Sequence, residues 1–403
     1  MTDAYYAELK RAQQEGRIVA WGVGAPGFVP LLRAMDISFL HGEAYSAMVS
    51  ARKVEGELKE AAAATGYLPE ICSYARINLG CAVLAERGIP AGMKRPDLVM
   101  PPPRFIVSTS PGCSTETNWV DDLARRFGVP SFDVVIPFVW REAEKERAKT
   151  VVARRLRELV SFIEELTGRA YNWERLQEIL STIRKAALLR EEVYQLCRNI
   201  PAPATFFDWA ISLAPLNFLA GAAGTVEYFE AMKKELEERV ARKEGAVPDE
   251  KYRLYWDGIM IWPKVGRLAD KFAALGACVV AGRYTHLGFF HDPRAIDPER
   301  PLESIAAFLI DLHLANNAEW LINRTVEVCQ QFSIDGLVVH SVRTCRPFVS
   351  FQQVMVEGVR RKAGIPGVIF EADHSDPDFY SEAQLDTKLQ ALLESIAARK
   401  KVG

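Results

Sequence analysis

Apolar positions along this chain gather first into short continuous runs and then into helical stripes, and the two alternate. Ile18–Val23, Phe105–Thr109, Phe132–Ile136, Leu254–Trp256, Ala277–Ala281, Leu337–His340 and Val368–Glu371 are the runs. They are short, rich in Val, Ile and aromatic residues, and mostly end at Gly, Pro, Ser or Asp, which predicts buried strands. Segments of helical period lie between them, and that alternation predicts an α/β fold with parallel sheets. The runs form two groups, before residue 140 and after residue 250. The stretch between is charged and periodic. Leu156, Leu159, Val160, Ile163 and Leu166 fall on one helical face. Asn172 precedes a second helix with Leu176, Ile179 and Ile183 on one face. Pro201 and Pro203 punctuate its exit, and Met232–Lys243 predicts a connecting helix. The expected organisation is two Rossmann- or flavodoxin-like parallel-sheet lobes separated by a helical region. The first lobe spans 1–140 and carries Cys72 and Cys113. The helical region spans 141–245. The second lobe spans 246–403 and carries Cys345.

The two lobes share a local order. VSTSPGCSTETNWVDDLARRFGVPSFDVVI and VVHSVRTCRPFVSFQQVMVEGVRRKAGIPGVIF each read as strand, polar turn, one Cys, helix, Gly-Val-Pro or Gly-Ile-Pro, strand. The spacing from Ser108 to Cys113 equals that from His340 to Cys345. Each of these cysteines is therefore expected just past the carboxyl end of a strand, the edge where open α/β sheets bind ligands.

Composition narrows the classes. Over 403 residues, 49% are hydrophobic and 25% charged, which excludes a wholly disordered chain, a collagen and a coiled-coil rod. A net charge of −2 gives no global electrostatic reason to bind nucleic acid or an anionic membrane. The opening MTDAYYAELKRAQQEG lacks the apolar core of a signal peptide. Trp209–Val226 carries no charge, but Pro215, Asn217, Gly221 and Gly224 interrupt it, so a buried helix and loop is expected rather than a membrane span. These features point to a cytoplasmic protein without nucleic-acid or membrane partners. Seven cysteines are too few for a disulfide scaffold, and the odd number favours reduced thiols or metal ligands.

Candidate chemistry starts with Gly22-x-Gly24-x-x-Gly27 directly after a strand. It matches a dinucleotide fingerprint, and Glu43 follows at about the 20-residue distance that motif needs. Pro26 and Pro30 break the pattern, and Glu43 reads as part of a His41-Gly42-Glu43 turn rather than a strand end. A tight loop at the cleft of a different ligand is the competing reading. Cys72, Cys113 and Cys345 have polar, turn-forming or cationic neighbours, which suits accessible thiolates. Cys81, Cys197, Cys278 and Cys329 lie among apolar or helical residues and read as small core fillers. Three thiolates from distant segments could hold one metal centre, or they could be unrelated. The absence of CxxC spacing argues against a zinc ribbon or ferredoxin-type site. His41, His286, His291, His313, His340 and His374 form no HExxH or HxH pair. Asp121-Asp122 and Asp373…Asp376 read as helix-start or loop carboxylates. No GxSxG and no Walker loop occurs, so ATP hydrolysis by this chain is not expected.

CSYARINLG, GCSTETNWVDDLARRFGVPSF, DGLVVHSVRTCRPFV and EADHSDPDFYSEAQLDTKLQALLE occur together and in this order. In these words, and in AWGVGAPGFVPLLRAMDISFLHGEAYSAM, the chain resembles the cluster-bearing subunits of the 2-hydroxyacyl-CoA dehydratase and benzoyl-CoA reductase family, over nearly its whole length. The resemblance implies a [4Fe-4S] cluster between two α/β lobes, held by Cys72, Cys113 and Cys345, with one iron open. It implies that one low-potential electron enters a CoA thioester, giving a ketyl-type or ring radical anion. The electron comes from a separate ATP-hydrolysing iron-sulfur activator, and a second homologous cluster-bearing subunit completes the enzyme. Gly24, Ala25 and His41 match regions that face the acyl-CoA substrate, and Glu43 is the candidate for proton transfer or substrate orientation. Arg76, Arg343 and Arg346 would tune the cluster, meet CoA phosphates, or pair with surface carboxylates.

The expected function is a benzoyl-CoA reductase-type subunit that dearomatises an aromatic acyl-CoA ring. That lean rests on the hydroxyl-free loop GVGAPG, where several dehydratases of the family carry a hydroxyl, and on PATFFDW and LYWDGIMIW as walls for a flat ring. The alternative is a subunit of an (R)-2-hydroxyacyl-CoA dehydratase. A double-cubane-cluster reductase, an electron relay without catalysis, and a dinucleotide oxidoreductase are further alternatives.

Overall fold

Among the described residues eight strands form two four-stranded sheets, and every pairing is parallel. The computed structural model describes residues 1–110, 113–286 and 292–402. His291 lies outside the described residues. The strands are β1 (Val19–Gly24), β2 (Ser38–His41), β3 (Phe105–Ser110), β4 (Ser131–Val135), β5 (Tyr252–Asp257), β6 (Ala277–Gly282), β7 (Gly336–Val342) and β8 (Gly367–Ala372). The first sheet has the order β2-β1-β3-β4 and the second β6-β5-β7-β8, so both follow one topology. Each of the expected apolar runs became a strand within a few residues. β2 was not foreseen, because its four residues start on polar Ser38 and end on His41, which hides a short apolar run.

Parallel strands need crossovers, and helices supply them. Such sheets are covered on both faces, which explains the unbroken burial of β1, β3 and β6. Trp21, Phe105, Tyr255 and Trp256 are almost wholly enclosed, each contributing about 1.5–3 kcal/mol of apolar transfer.

By its contacts the chain divides into two units. The first comprises Met1–Arg184, Ala214–Thr225 and Asp292–Asp311 and contains the first sheet. The second comprises Lys185–Leu213, Val226–His291 and Leu312–Gly403 and contains the second sheet. In the first unit the helix Lys145–Thr167 buries Leu156, Leu159, Val160 and Ile163 and packs on the helix Pro301–Ile310. The helix Trp173–Leu196 starts in the first unit and ends in the second. The uncharged stretch after Trp209 breaks into the end of a short helix (Phe206–Ile211), a 3-10 turn (Ala214–Leu216) and the start of the helix Thr225–Ala241. Among the described residues no helix is long and apolar enough to cross a membrane.

Candidate functional site

In each sheet the chain runs outward in one direction, returns to the centre and continues in the other. The reversal falls between β1 and β3 in the first sheet and between β5 and β7 in the second. In open α/β sheets such a reversal, at the strands' carboxyl ends, is where ligands bind. Cys113 follows β3 and caps the helix Ser114–Phe127; Cys345 follows β7 and caps the helix Arg346–Val349. Both therefore occupy the same place in their own sheets. Cys72 caps a third helix, Ser73–Arg87.

Three helices of the first unit are fastened near their amino ends. Trp119 Nε1 donates to Asn78 Oδ1 at 2.9 Å, joining the Cys113 helix to the Cys72 helix. Gly42 opens the third helix, Gly42–Ala51, and a Cβ there would meet Trp119 at 2.9 Å and Asn78 at 3.2 Å. Ser46 Oγ donates to the Tyr74 carbonyl at 2.8 Å. The elements bearing Cys72, Cys113 and Glu43 are thus mutually fixed.

Glu43 stands in the first turn of its helix, two residues past the end of β2. This corrects the expectation that it lies in a turn away from any strand. Burial pushes its carboxyl from 4.5 up to about 7. Glu116, in the first turn of the Cys113 helix, is 6% exposed. Burial first, then the charges of Glu43 and Asp133, hold its carboxyl well above the usual range. Its Oε1 has no hydrogen-bond partner and sits where a Cβ of Gly24 would be. Gly24 has φ +94°, so glycine is needed there for both backbone and space. A carboxyl group packed on this glycine takes the space through which a pyrophosphate would approach, which argues against the dinucleotide reading.

Ala25 is held by β3: its N–H donates to the Thr109 carbonyl at 3.3 Å, and the Thr109 hydroxyl donates to the Ala25 carbonyl. His41 ends β2, and its Nδ1 accepts from the Ala44 N–H at 3.4 Å. Burial lowers its pKa to about 4, so the ring is neutral near pH 7. It lies against Phe28, with ring centroids 5.5 Å apart. Asp133 on β4 accepts from Ser108 Oγ at 2.6 Å and Ser110 Oγ at 2.9 Å.

The thiols separate into two groups. Cys72, Cys113 and Cys345 are half-buried; Cys81, Cys197, Cys278 and Cys329 are buried. Burial raises the pKa of Cys81 to about 11 and of Cys197 and Cys329 to about 12, as for inert core thiols. Burial also raises Cys113, but the backbone N–H groups of Glu116 and Thr115 point at its sulfur and act the other way. Such N–H donors suit a cluster thiolate. Cys72 and Cys113 belong to the first unit and Cys345 to the second. Among the described residues no three His, Cys, Asp or Glu side chains gather to hold a metal ion. Each of these three half-buried sulfurs stands at a helix start, and cysteine thiolates are the side chains that ligate iron-sulfur clusters.

Arg343 pairs with Glu371 at 2.7 Å on the surface, one of the three roles expected of it. The aromatic words are core: Phe206, Phe207, Trp209 and Trp256 are buried, and Phe206 stacks on Trp256 at 5.6 Å. Glu116 was missed because Cys113-Ser-Thr-Glu116 has the spacing of a helix capping pattern. A capping carboxylate would stay exposed; this one turns inward.

Residues 25–396 match the family described as 2-hydroxyglutaryl-CoA dehydratase, D-component. The chain belongs to that family. Lactoyl-CoA dehydratase subunit alpha of Anaerotignum propionicum is 27% identical over 97% of this chain and 93% of its own length. A benzoyl-CoA reductase subunit of Thauera aromatica is 25% identical over 87% of this chain and 82% of its own. (R)-2-hydroxyisocaproyl-CoA dehydratase alpha subunit of Clostridioides difficile is 25% identical over 98% of this chain and 94% of its own. The family's relatives are thus enzyme subunits named for acyl-CoA substrates, as the sequence words led us to expect.

Proposed function

We propose that the chain is the alpha-type subunit of a 2-hydroxyacyl-CoA dehydratase. The observation that carries this reading is the buried Glu116 carboxyl, its Oε1 without a hydrogen-bond partner and packed on Gly24, with Glu43 in the first turn of the helix whose Gly42 packs on Trp119 of the Glu116 helix. Net loss of water moves one proton from carbon to a departing hydroxyl, so it needs a base and an acid together. A carboxyl group near pKa 7 next to one that stays protonated offers both. Dehydratase subunits aligned over almost the whole chain support the same reading. So does the burial of the aromatic segments, which removes half of the case for a ring pocket.

Cys72, Cys113 and Cys345 would hold the [4Fe-4S] cluster, which when bound supplies one low-potential electron to the thioester. Gly24 and Ala25 would lay backbone against the acyl chain. Neutral His41 would order the β1 loop from beneath without adding charge. Glu43 would take the proton released from carbon, and Glu116 would give its own proton to the departing hydroxyl. A homologous second subunit and an ATP-hydrolysing activator, both cytoplasmic, would complete the system.

The second reading is a benzoyl-CoA reductase-type subunit. The hydroxyl-free loop after β1 and the likeness to the Thauera aromatica benzoyl-CoA reductase chain favour it. Incubating the assembled, activated enzyme with (R)-2-hydroxyacyl-CoA and with benzoyl-CoA separates the two. Enoyl-CoA formation without ring reduction is expected; ring reduction alone would replace the first reading by the second.

A further inference from the structure

The turn that carries Cys345 is braced from two sides by buried polar groups. On one side Thr344 Oγ1 donates to Asp373 Oδ2 at 2.5 Å, and Thr344 and Asp373 are both buried. Asp373 lies just past β8, and its other oxygen accepts from the Ser375 and Asp376 N–H groups, each at 2.8 Å. The Arg343 N–H donates to the Ala372 carbonyl at 2.8 Å, so both chain segments are tied next to the cysteine. On the other side Arg283 reaches the Phe348 carbonyl at 2.9 Å, from the short helix that Cys345 caps. Arg283 is 1% exposed and pairs with fully buried Asp257 at 2.8 Å. Gln352 Nε2 donates to Asp257 at 2.9 Å and to the His340 carbonyl at 2.8 Å.

Burying this many charged groups is costly unless a fixed geometry repays it. A carboxylate fastened by one hydroxyl and two backbone N–H groups, packed beside a half-buried thiol, does more than fill space. The first sheet uses a related device: Ser108 and Ser110 on β3 donate to Asp133 on β4, and Ser110 lies three residues before Cys113.

We propose that Asp373, acting through the Thr344 hydroxyl, is a positioning residue that fixes the Cys345 sulfur before any cluster arrives, with Arg283 as the opposite brace. The inference deepens the cluster reading, since Cys345 is one of the proposed ligands. Thr344→Val removes the hydroxyl and keeps the shape; Thr344→Ser restores it. Hydrogen exchange is measured on the metal-free full chain, followed at the Cys345 and Val349 amides, which donate to the Val342 and Cys345 carbonyls. Thr344→Val raises exchange there about tenfold, the loss of one hydrogen bond to a charged acceptor. Thr344→Ser stays near wild type, and peptides of the first unit do not change. In anaerobically reconstituted protein, Thr344→Val also loses iron to a chelator faster than wild type. Unchanged exchange in Thr344→Val overturns the positioning role, as does equal loss of protection in Thr344→Ser. Wild type that takes up no iron overturns the cluster reading instead, while the exchange result still decides the brace.

Discussion

Replacing Glu43 by Gln tests whether the site stores an unfavourable charge. Unfolded, this carboxyl ionises near 4.5; folded, near 7, because burial disfavours the charged form. The native state therefore binds the proton more tightly than the unfolded state. Its stability falls as pH rises from about 4.5 to about 7 and stays low above that. The shift amounts to about 3 kcal/mol at 1.36 kcal/mol per pH unit. Glu43 keeps part of its surface toward solvent, so this is an upper bound. Glu43→Gln carries no charge at any pH and escapes the penalty. The variant should exceed wild type by up to about 3 kcal/mol at pH 8 and by less than about 1 kcal/mol at pH 5. Urea midpoints of the metal-free chain at the two pH values measure this. In the assembled enzyme the same change should lower turnover roughly a hundredfold or more. Equal midpoints for wild type and variant at both pH values would refute the buried-carboxyl argument. A stable variant with full turnover would refute its catalytic use.

Buried histidines give the opposite pH trend. His41 and His340 titrate near 4 and His286 near 3 when folded, against 6.5 unfolded, all chiefly because burial disfavours the cation. Their contribution is intact above pH 6.5 and is lost as pH falls toward 4, by up to about 3 kcal/mol each; a urea midpoint in Glu43→Gln that does not drop between pH 7 and 4.5 would count against it. Gly24→Ala should cost on the order of 3 kcal/mol, since left-handed strain adds to a collision with Glu116 and the Thr109 carbonyl. Gly128→Ala, also left-handed but with nothing within 4 Å, should cost only about 1 kcal/mol, and equal losses in thermal melts would refute the steric part. Cys278→Ala should keep its iron, because that thiol is wholly buried in β6; iron loss there would undo the division of the cysteines.

Period and composition revealed most of the fold because parallel strands covered on both faces leave unbroken apolar runs. β2 escaped since Ser38 and His41 leave only Phe39 and Leu40 as signal. The positions of Cys113 and Cys345 were legible because two copies of one local order imply two equivalent strand ends. The pairing of Glu43 with Glu116 was not, since it depends on which way a first-turn carboxyl points. Asp257 with Arg283 was equally hidden: a charged residue closing an apolar strand reads as its solvated end, yet both are buried here. Asp373 reads as a loop carboxylate, and only its reach to Thr344 reveals the brace.

Cys72, Cys113 and Cys345, all at helix starts, are proposed to hold one cluster. Iron and sulfide should be quantified in anaerobically purified wild type and in Cys72→Ser, Cys113→Ser and Cys345→Ser. About four irons and four sulfides per chain are expected, as a [4Fe-4S] cluster requires, and are lost in each variant. Iron-free wild type, or any of the three variants with its full complement, would contradict it.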